Sequence, residues 1–473
     1  MRITPWMIVG SLVLAALFSG RPALALNANA GGNAGNANNG GNAGGLGGGV
    51  AAGVIVSPDG VLRMKSFQDP SLGAKRLAEA QAKLGAELSK PSKLRKVSLT
   101  RLEAVLAEQL AEGKAPDEAM KYLAGLTRLE YVFFYPETRD IVIAGPAEGF
   151  VPDASGRVVG MTTGRAVLEL QDLVVALRAY GPSGKAAHEV SVSIDPTAEG
   201  LKKMQDFLRT LGRITPNDDK RIALGLRESL GQQVVSIRGI SPQTHFAQVL
   251  VEADYRMKLI GIGLERPPAK IQAYVDKAKP ADVSRNAMQR WYFTPNYDCV
   301  KTSEDRLAAQ FVGEGVQLIG ANELVNADGA RVNNNAVDLA SKTFTTSFTQ
   351  NYPLLAKQVP VYAQMRNLID MSIAAAYIQQ QDFYAKADWK MNLLGDESKF
   401  PVETYETPKT VESAVNVIWK GATLMTPIGG GVKINPRQAI ETSHLLPDTK
   451  GEVSDLRNKI QLDKLTPTQW WWD

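Results

Sequence analysis

The sequence predicts an α+β or layered α/β body, built of mixed sheets and packing helices with a long buried helix near 360–381. Three observations carry that prediction. Apolar residues recur at helical spacing in several stretches, and short runs rich in β-branched and aromatic residues lie between them. The two patterns alternate along the chain, as they do where helices and sheets stack in layers.

Taken in order, Val54–Val56 and Val61–Met64 read as two strands, because Ser57-Pro58-Asp59-Gly60 between them supplies a proline to preset a turn and a glycine to close it. Helices are expected over Ser71–Leu88, Thr100–Ala111 and Asp117–Leu123; in the second, Thr100 and Glu103 have the spacing of a capping box. Tyr131–Tyr135 and Ile141–Ala144 read as strands, and Ala166–Leu177 as a helix with Val167, Leu170, Val174 and Leu177 on one side. Val190–Ile194, Val234–Ile237 and Leu259–Ile262 are expected strands. Ala198–Leu211, Asp218–Leu230 and Thr244–Met257 are the helices that alternate with them. Further on, Arg290–Phe293 and Val316–Ile319 read as strands, and Pro353–Gln381 as a helix restarted at Pro360. Arg366 and Asp370 interrupt that helix, so it is expected to pack inside the protein and not to cross a membrane. Thr423–Met425 and Gly429–Ile434 read as a Gly-rich hairpin.

The ends of the chain set its organisation. Met1-Arg2 gives a cationic start, Trp6–Gly20 an uncharged apolar run, and Ala23-Leu24-Ala25 the small-x-small pattern that signal peptidases cut after. Residues 1–25 are therefore expected to be a cleaved signal, and the protein to be exported to the periplasm, the envelope or beyond. Residues 26–49, almost entirely Asn, Gly and Ala, bring too little apolar surface to offset the entropy of ordering them and read as a tether. An N-terminal body over 50–266, a Pro-rich linker over 267–288 and a C-terminal body over 289–440 follow. A charged tail over 441–473 ends in Trp470-Trp471-Trp472, which is expected to dock on its own chain because exposed aromatics are sticky in water.

Composition narrows the function classes. A formal net charge of +4, reduced further by loss of Arg2 and Arg21, fits neither a nucleic-acid binder nor a basic membrane-surface protein. One cysteine, Cys299, closes no intrachain disulfide, so stability rests on apolar burial, with the thiol read as a small buried hydrophobe. No spacing of the three histidines His188, His245 and His444 forms a metal motif, and no cofactor pattern is complete. Gly181-Pro182-Ser183-Gly184-Lys185 has Ala179 where a phosphate loop needs its first glycine, Gly313-x-Gly315 lacks a third, and Asn326-Ala327-Asp328-Gly329 lacks the closing acid of a calcium loop.

The strings Ala253-Asp254-Tyr255-Arg256-Met257-Lys258, Arg290-Trp291-Tyr292-Phe293-x-Pro295 and Gly313-Glu314-Gly315-Val316 resemble an uncharacterised family of exported bacterial proteins. It is the domain of unknown function fifteen-ninety-eight, of planctomycete-type bacteria. The segments Gly53–Leu62 and Gly429–Pro436 are similar to the family's ends, so the likeness spans about Val50 to Pro436. The resemblance implies export and supplies no catalytic residues.

Two constellations carry chemistry. On the helix after Pro242, His245 and Glu252 lie seven apart on one face, with Asp254 and Lys258 one turn apart beside them. A histidine held by a carboxylate is a general base near neutral pH; the plainer reading is a solvated helix face with an Asp254–Lys258 ion pair. On the strand at 290–293, alternation sets Trp291 and Phe293 against Arg290 and Tyr292, an arrangement that stacks sugar or peptide rings when exposed and is a core strand when not. The leading expectation is a non-enzymatic scaffold or interaction protein whose partner is a protein or envelope component. The alternatives are a hydrolase using His245 with a carboxylate, or a carbohydrate- or peptide-binding module centred on Trp291.

Overall fold

The computed structural model describes residues 51–67, 73–184, 187, 189–279, 287–325, 331–333, 338–420, 423–424 and 428–473. The expected signal and tether, and His188, lie outside the described residues.

Two sheets organise the chain into an α+β fold. The larger has nine strands, in the spatial order Ala51–Val56, Val61–Phe67, Thr410–Glu412, Gln232–Arg238, Val190–Asp195, Ile428–Ile434, Ala287–Pro295, Val316–Val325 and Arg331–Asn333. Its pairings are antiparallel except Thr410–Glu412 with Val61–Phe67 and Ile428–Ile434 with Ala287–Pro295. The smaller has seven, in the order Leu446–Pro447, Val300–Thr302, Ala308–Phe311, Tyr131–Tyr135, Asp140–Ala147, Ser92–Ser98 and Trp471–Trp472. Both sheets contain strands from before residue 267 and from residue 287 onward, so the boundary expected at 267–288 does not separate two sheets.

The first hairpin forms as its turn chemistry dictates, with Val56 opposite Leu62 and Gly60 at a φ of 84°. Elsewhere, burial overrides local signals. The helix expected from Thr100 spans Leu99–Ala111 and is capped by Ser98, whose hydroxyl accepts from the Arg101 N–H. Glu103, expected to complete a capping box, is drawn inward instead, where it accepts from the Trp389 indole and from the backbone N–H groups of Leu393 and Leu394. The strand expected at Leu259–Ile262 is the end of the His245–Gly261 helix, which runs on until Gly263 turns out of it at a φ of 75°.

The Gly-rich segment does not fold back on Thr423–Leu424, which pairs with Ile418–Trp419. Ile428–Ile434 lies between Val190–Asp195 and Ala287–Pro295, where a side chain on Gly430 would strike the Trp291 backbone and one on Gly431 that of Val192. The long helix is two helices. Asp338 caps Leu339–Gln358, which contains Pro353, and Pro360 opens Pro360–Gln380.

The Pro360–Gln380 helix is the centre of the core, buried from Val361 to Ile378, and packs against the Leu170–Ala179, His245–Gly261 and Leu339–Gln358 helices. The His245–Gly261 helix in turn lies on the larger sheet, against Val190–Asp195 and Ile428–Ile434. Cys299 is buried and unbridged, with its thiol pushed up to about 12 mainly by burial. The terminal tryptophans dock on their own chain: Trp471 and Trp472 pair with Val97 and Lys96 at the edge of the smaller sheet. No helix among the described residues is long and apolar enough to cross a membrane.

Candidate functional site

Three segments distant in sequence converge on the N-terminal end of the His245–Gly261 helix. The first is a turn at Asp153, whose carboxylate accepts from the Ser155 N–H (2.7 Å), the Ser155 hydroxyl (2.6 Å) and the Arg157 N–H (3.1 Å). That turn aims Arg157 at Gln364, whose side-chain oxygen it meets at 3.0 Å, and at Glu252. The second is the start of the Leu170–Ala179 helix, where Glu169 occupies the cap position without capping its own helix and Asp172 lies in the first turn. Acidic groups suit a helix N-terminus, where unpaired N–H groups leave partial positive charge. The third is His245 itself, the first residue after the Thr244 cap.

The same dipole disfavours a cation at His245, so its environment is decided by tertiary contacts. Its Nδ1 lies 2.8 Å from Asp172 Oδ2, and its Nε2 lies 3.7 Å from Glu169 Oε1. Burial alone pulls the imidazole down, but the carboxylates of Asp172 and Glu169 outweigh it and the ring is pushed up to about 9. Burial also raises Glu169, helped by Asp172 and opposed by His245. The two carboxylates thus favour the charged imidazolium over the neutral ring.

Glu169 and His245 border a cavity of about 540 Å³. Arg157, Glu169, Gln171, His245, Glu252 and Tyr405 supply its polar wall, and Val54, Leu170, Val249 and Phe400 part of its apolar one. Tyr405 sits with its ring 5.7 Å from that of His245 and its hydroxyl 3.2 Å from the side-chain nitrogen of Gln171. Gln171 also donates to Glu169 at 2.7 Å. Glu252 lies between two guanidiniums, that of Arg157 and that of Arg256 at 3.4 Å.

His245 and Glu252 both line this cavity. The face that carries them is not the solvated one of the plainer reading, since most of this helix is buried. Asp254 points elsewhere. It pairs at 2.7 Å with Lys258, whose ammonium also donates to the carbonyls of Ile194 and Gly430 beneath the larger sheet.

The binding platform expected at 290–292 does not exist as a surface. Trp291 is fully buried, donates its indole N–H to the Ser341 hydroxyl at 2.9 Å and packs against Phe344 and Tyr274. Arg290 pairs with Asp195 at 3.0 Å, and the Tyr292 ring lies under Arg290 and Lys433. A strand packed on both faces buries its aromatics, which removes them from any ligand.

Sequence reasoning missed Glu169, Asp172, Arg157 and Tyr405. One signal was available: Asp172 stands inside an apolar run, Leu170 to Leu177, whose neighbours are nearly all buried, and a buried acid requires a partner.

Residues 192–274 match the model of a family described as protein of unknown function (DUF1598). The match includes the 253–258 string and the helix of His245, and it excludes the strings at 290–295 and 313–316. No curated protein and no solved structure matches the chain.

Proposed function

We propose that the protein is exported and that the His245 cavity is the active site of a hydrolase for a small polar substrate. The observation that supports this reading is that His245, held by Asp172 and Glu169, lines a cavity with both polar and apolar walls, the common form of a small-molecule site. The cluster holds a positive centre between two carboxylates beside the space a substrate would fill. Such a centre polarises a carbonyl or phosphoryl oxygen and favours the negative charge that develops there when water attacks. Asp172 fixes the ring, and the Arg157–Glu252 pair offers a donor and an acceptor across the cavity. The Asn/Gly tract of 26–49 fits a body tethered within the envelope.

Screening the purified protein against esters, peptides and glycosides tests the proposal. Hydrolysis of one class, reduced about 10²–10⁴-fold by His245→Ala with the far-ultraviolet circular dichroism unchanged, is the expected result. A wild-type protein inert towards all three would return the scaffold reading to first place.

A further inference from the structure

We infer that Glu169, Asp172 and His245 form a binding site for one divalent first-row transition metal ion of the zinc or manganese kind. The inference deepens the hydrolase reading, and its catalytic meaning rests on that reading: the metal would be the positive centre of the cluster. The binding itself stands on four observations.

The first is geometry. Each of the three residues offers a ligand atom, and these atoms all lie within 4.8 Å of one another. Metal–nitrogen and metal–oxygen bonds of about 2.0–2.2 Å hold ligands of one ion within about 4.4 Å of each other, so small side-chain rotations close the set.

The second is an unsatisfied group. Asp172 is 3% exposed, and its Oδ1 has no hydrogen-bond partner among the described residues. A buried carboxylate oxygen without a donor is a position that a cation fills.

The third concerns the imidazole. Its Nε2 meets no acceptor at hydrogen-bond distance: Glu169 Oε1 is at 3.7 Å, and the side-chain nitrogen of Gln364 is at 3.4 Å. Gln364 presents its nitrogen because its oxygen accepts from Arg157. An ion shared with Asp172 takes the Nδ1 side, 2.8 Å from Asp172 Oδ2, and replaces the hydrogen bond between them, while Nε2, on the far side of the ring, keeps Gln364 as its neighbour.

The fourth is charge and access. Two carboxylates balance a divalent ion, which displaces the imidazolium proton as it binds, and three protein ligands beside a cavity are the arrangement of catalytic metals, with room for water or substrate. One nitrogen with carboxylate oxygens suits zinc, manganese or iron, whereas calcium and magnesium prefer oxygen alone. Gln171 steadies Glu169 from outside the set. The nearby cation, Arg157, is engaged by Glu252 and Gln364.

The test is calorimetric titration of the chelator-stripped full chain with Zn²⁺ and Mn²⁺, with cobalt absorption as a second readout. One ion per chain is expected, with affinity lowered at least about tenfold by Glu169→Gln and by Asp172→Asn. His444→Ala, which removes the surface histidine paired with Asp298, leaves it unchanged. Circular dichroism confirms that each variant is folded, and the wild-type stoichiometry needs no variant. Binding well below one ion per chain, or binding indifferent to both carboxylate variants, overturns the site. Hydrolysis that depends on His245 but survives complete chelation overturns the catalytic role of the metal, while leaving the hydrolase reading intact.

Discussion

Asp172 Oδ2 lies 2.8 Å from His245 Nδ1 although 73 residues separate them in the chain. Each sits in the first turn of its own helix, so the contact fixes how the two helix N-termini meet and orients the imidazole at the cavity wall. Everything proposed for this protein follows from that meeting.

The buried Asp254–Lys258 pair makes stability depend on pH. Burial, together with Asp195 and against Lys258 and Arg290, raises Asp254 from 3.8 to about 6. The folded state therefore holds the proton more tightly than the unfolded one. The contribution is fully present below pH 3.8 and is lost as pH rises through 6. At roughly 1.4 kcal/mol for each pH unit of difference, it amounts to about 3 kcal/mol. Urea unfolding across this window should show a shallower fall for Asp254→Asn than for the wild type. Identical slopes would contradict this assignment.

Trp291 serves the core, with its ring against Phe344 at 4.5 Å and Tyr274 at 5.5 Å. Trp291→Ala should lower stability by about 3–5 kcal/mol in denaturant titration. A loss under about 1 kcal/mol would mean that the ring is not part of a packed interior.

The expected helix at 198–211 and the strands at 190–194 and 290–293 were legible because their apolar periodicity coincides with burial. Two other failures have one cause. Ser92–Ser98, where the sequence predicts no element, carries Lys93, Arg95 and Lys96, yet it is a strand whose Arg95 guanidinium is buried against Asp473 and the carbonyls of Leu88, Ala124 and Lys90. Glu169 and Asp172 likewise acquire meaning only beside His245. Contacts across long sequence separations are set by the packing of helices, which local patterns do not encode. Of the site, His245 and Glu252 were visible on one helix; their partners were not.

Arg95 also yields a prediction for the chain end. Its fully buried guanidinium meets the Asp473 carboxylate at 2.9 and 3.0 Å, while the Trp470 carbonyl accepts from the Ser98 N–H at 2.9 Å. Deleting residues 470–473 removes the edge strand and leaves a buried charge without its counter-ion, so unfolding should become easier by about 3–5 kcal/mol. Thermal unfolding unchanged by the deletion would show that the tail is dispensable to the fold.

The most direct measurement of the central claim is a double-mutant cycle on the hydrolysis rate. Asp172→Asn, His245→Ala and the combined variant are compared with the wild type at one saturating substrate level. If the two residues act as one device at the cavity, the double variant loses no more than the worse single variant, a loss of about 10²–10⁴. Losses that multiply, or singles within about tenfold of the wild type, would contradict the account and leave the pair as a structural contact between two helices.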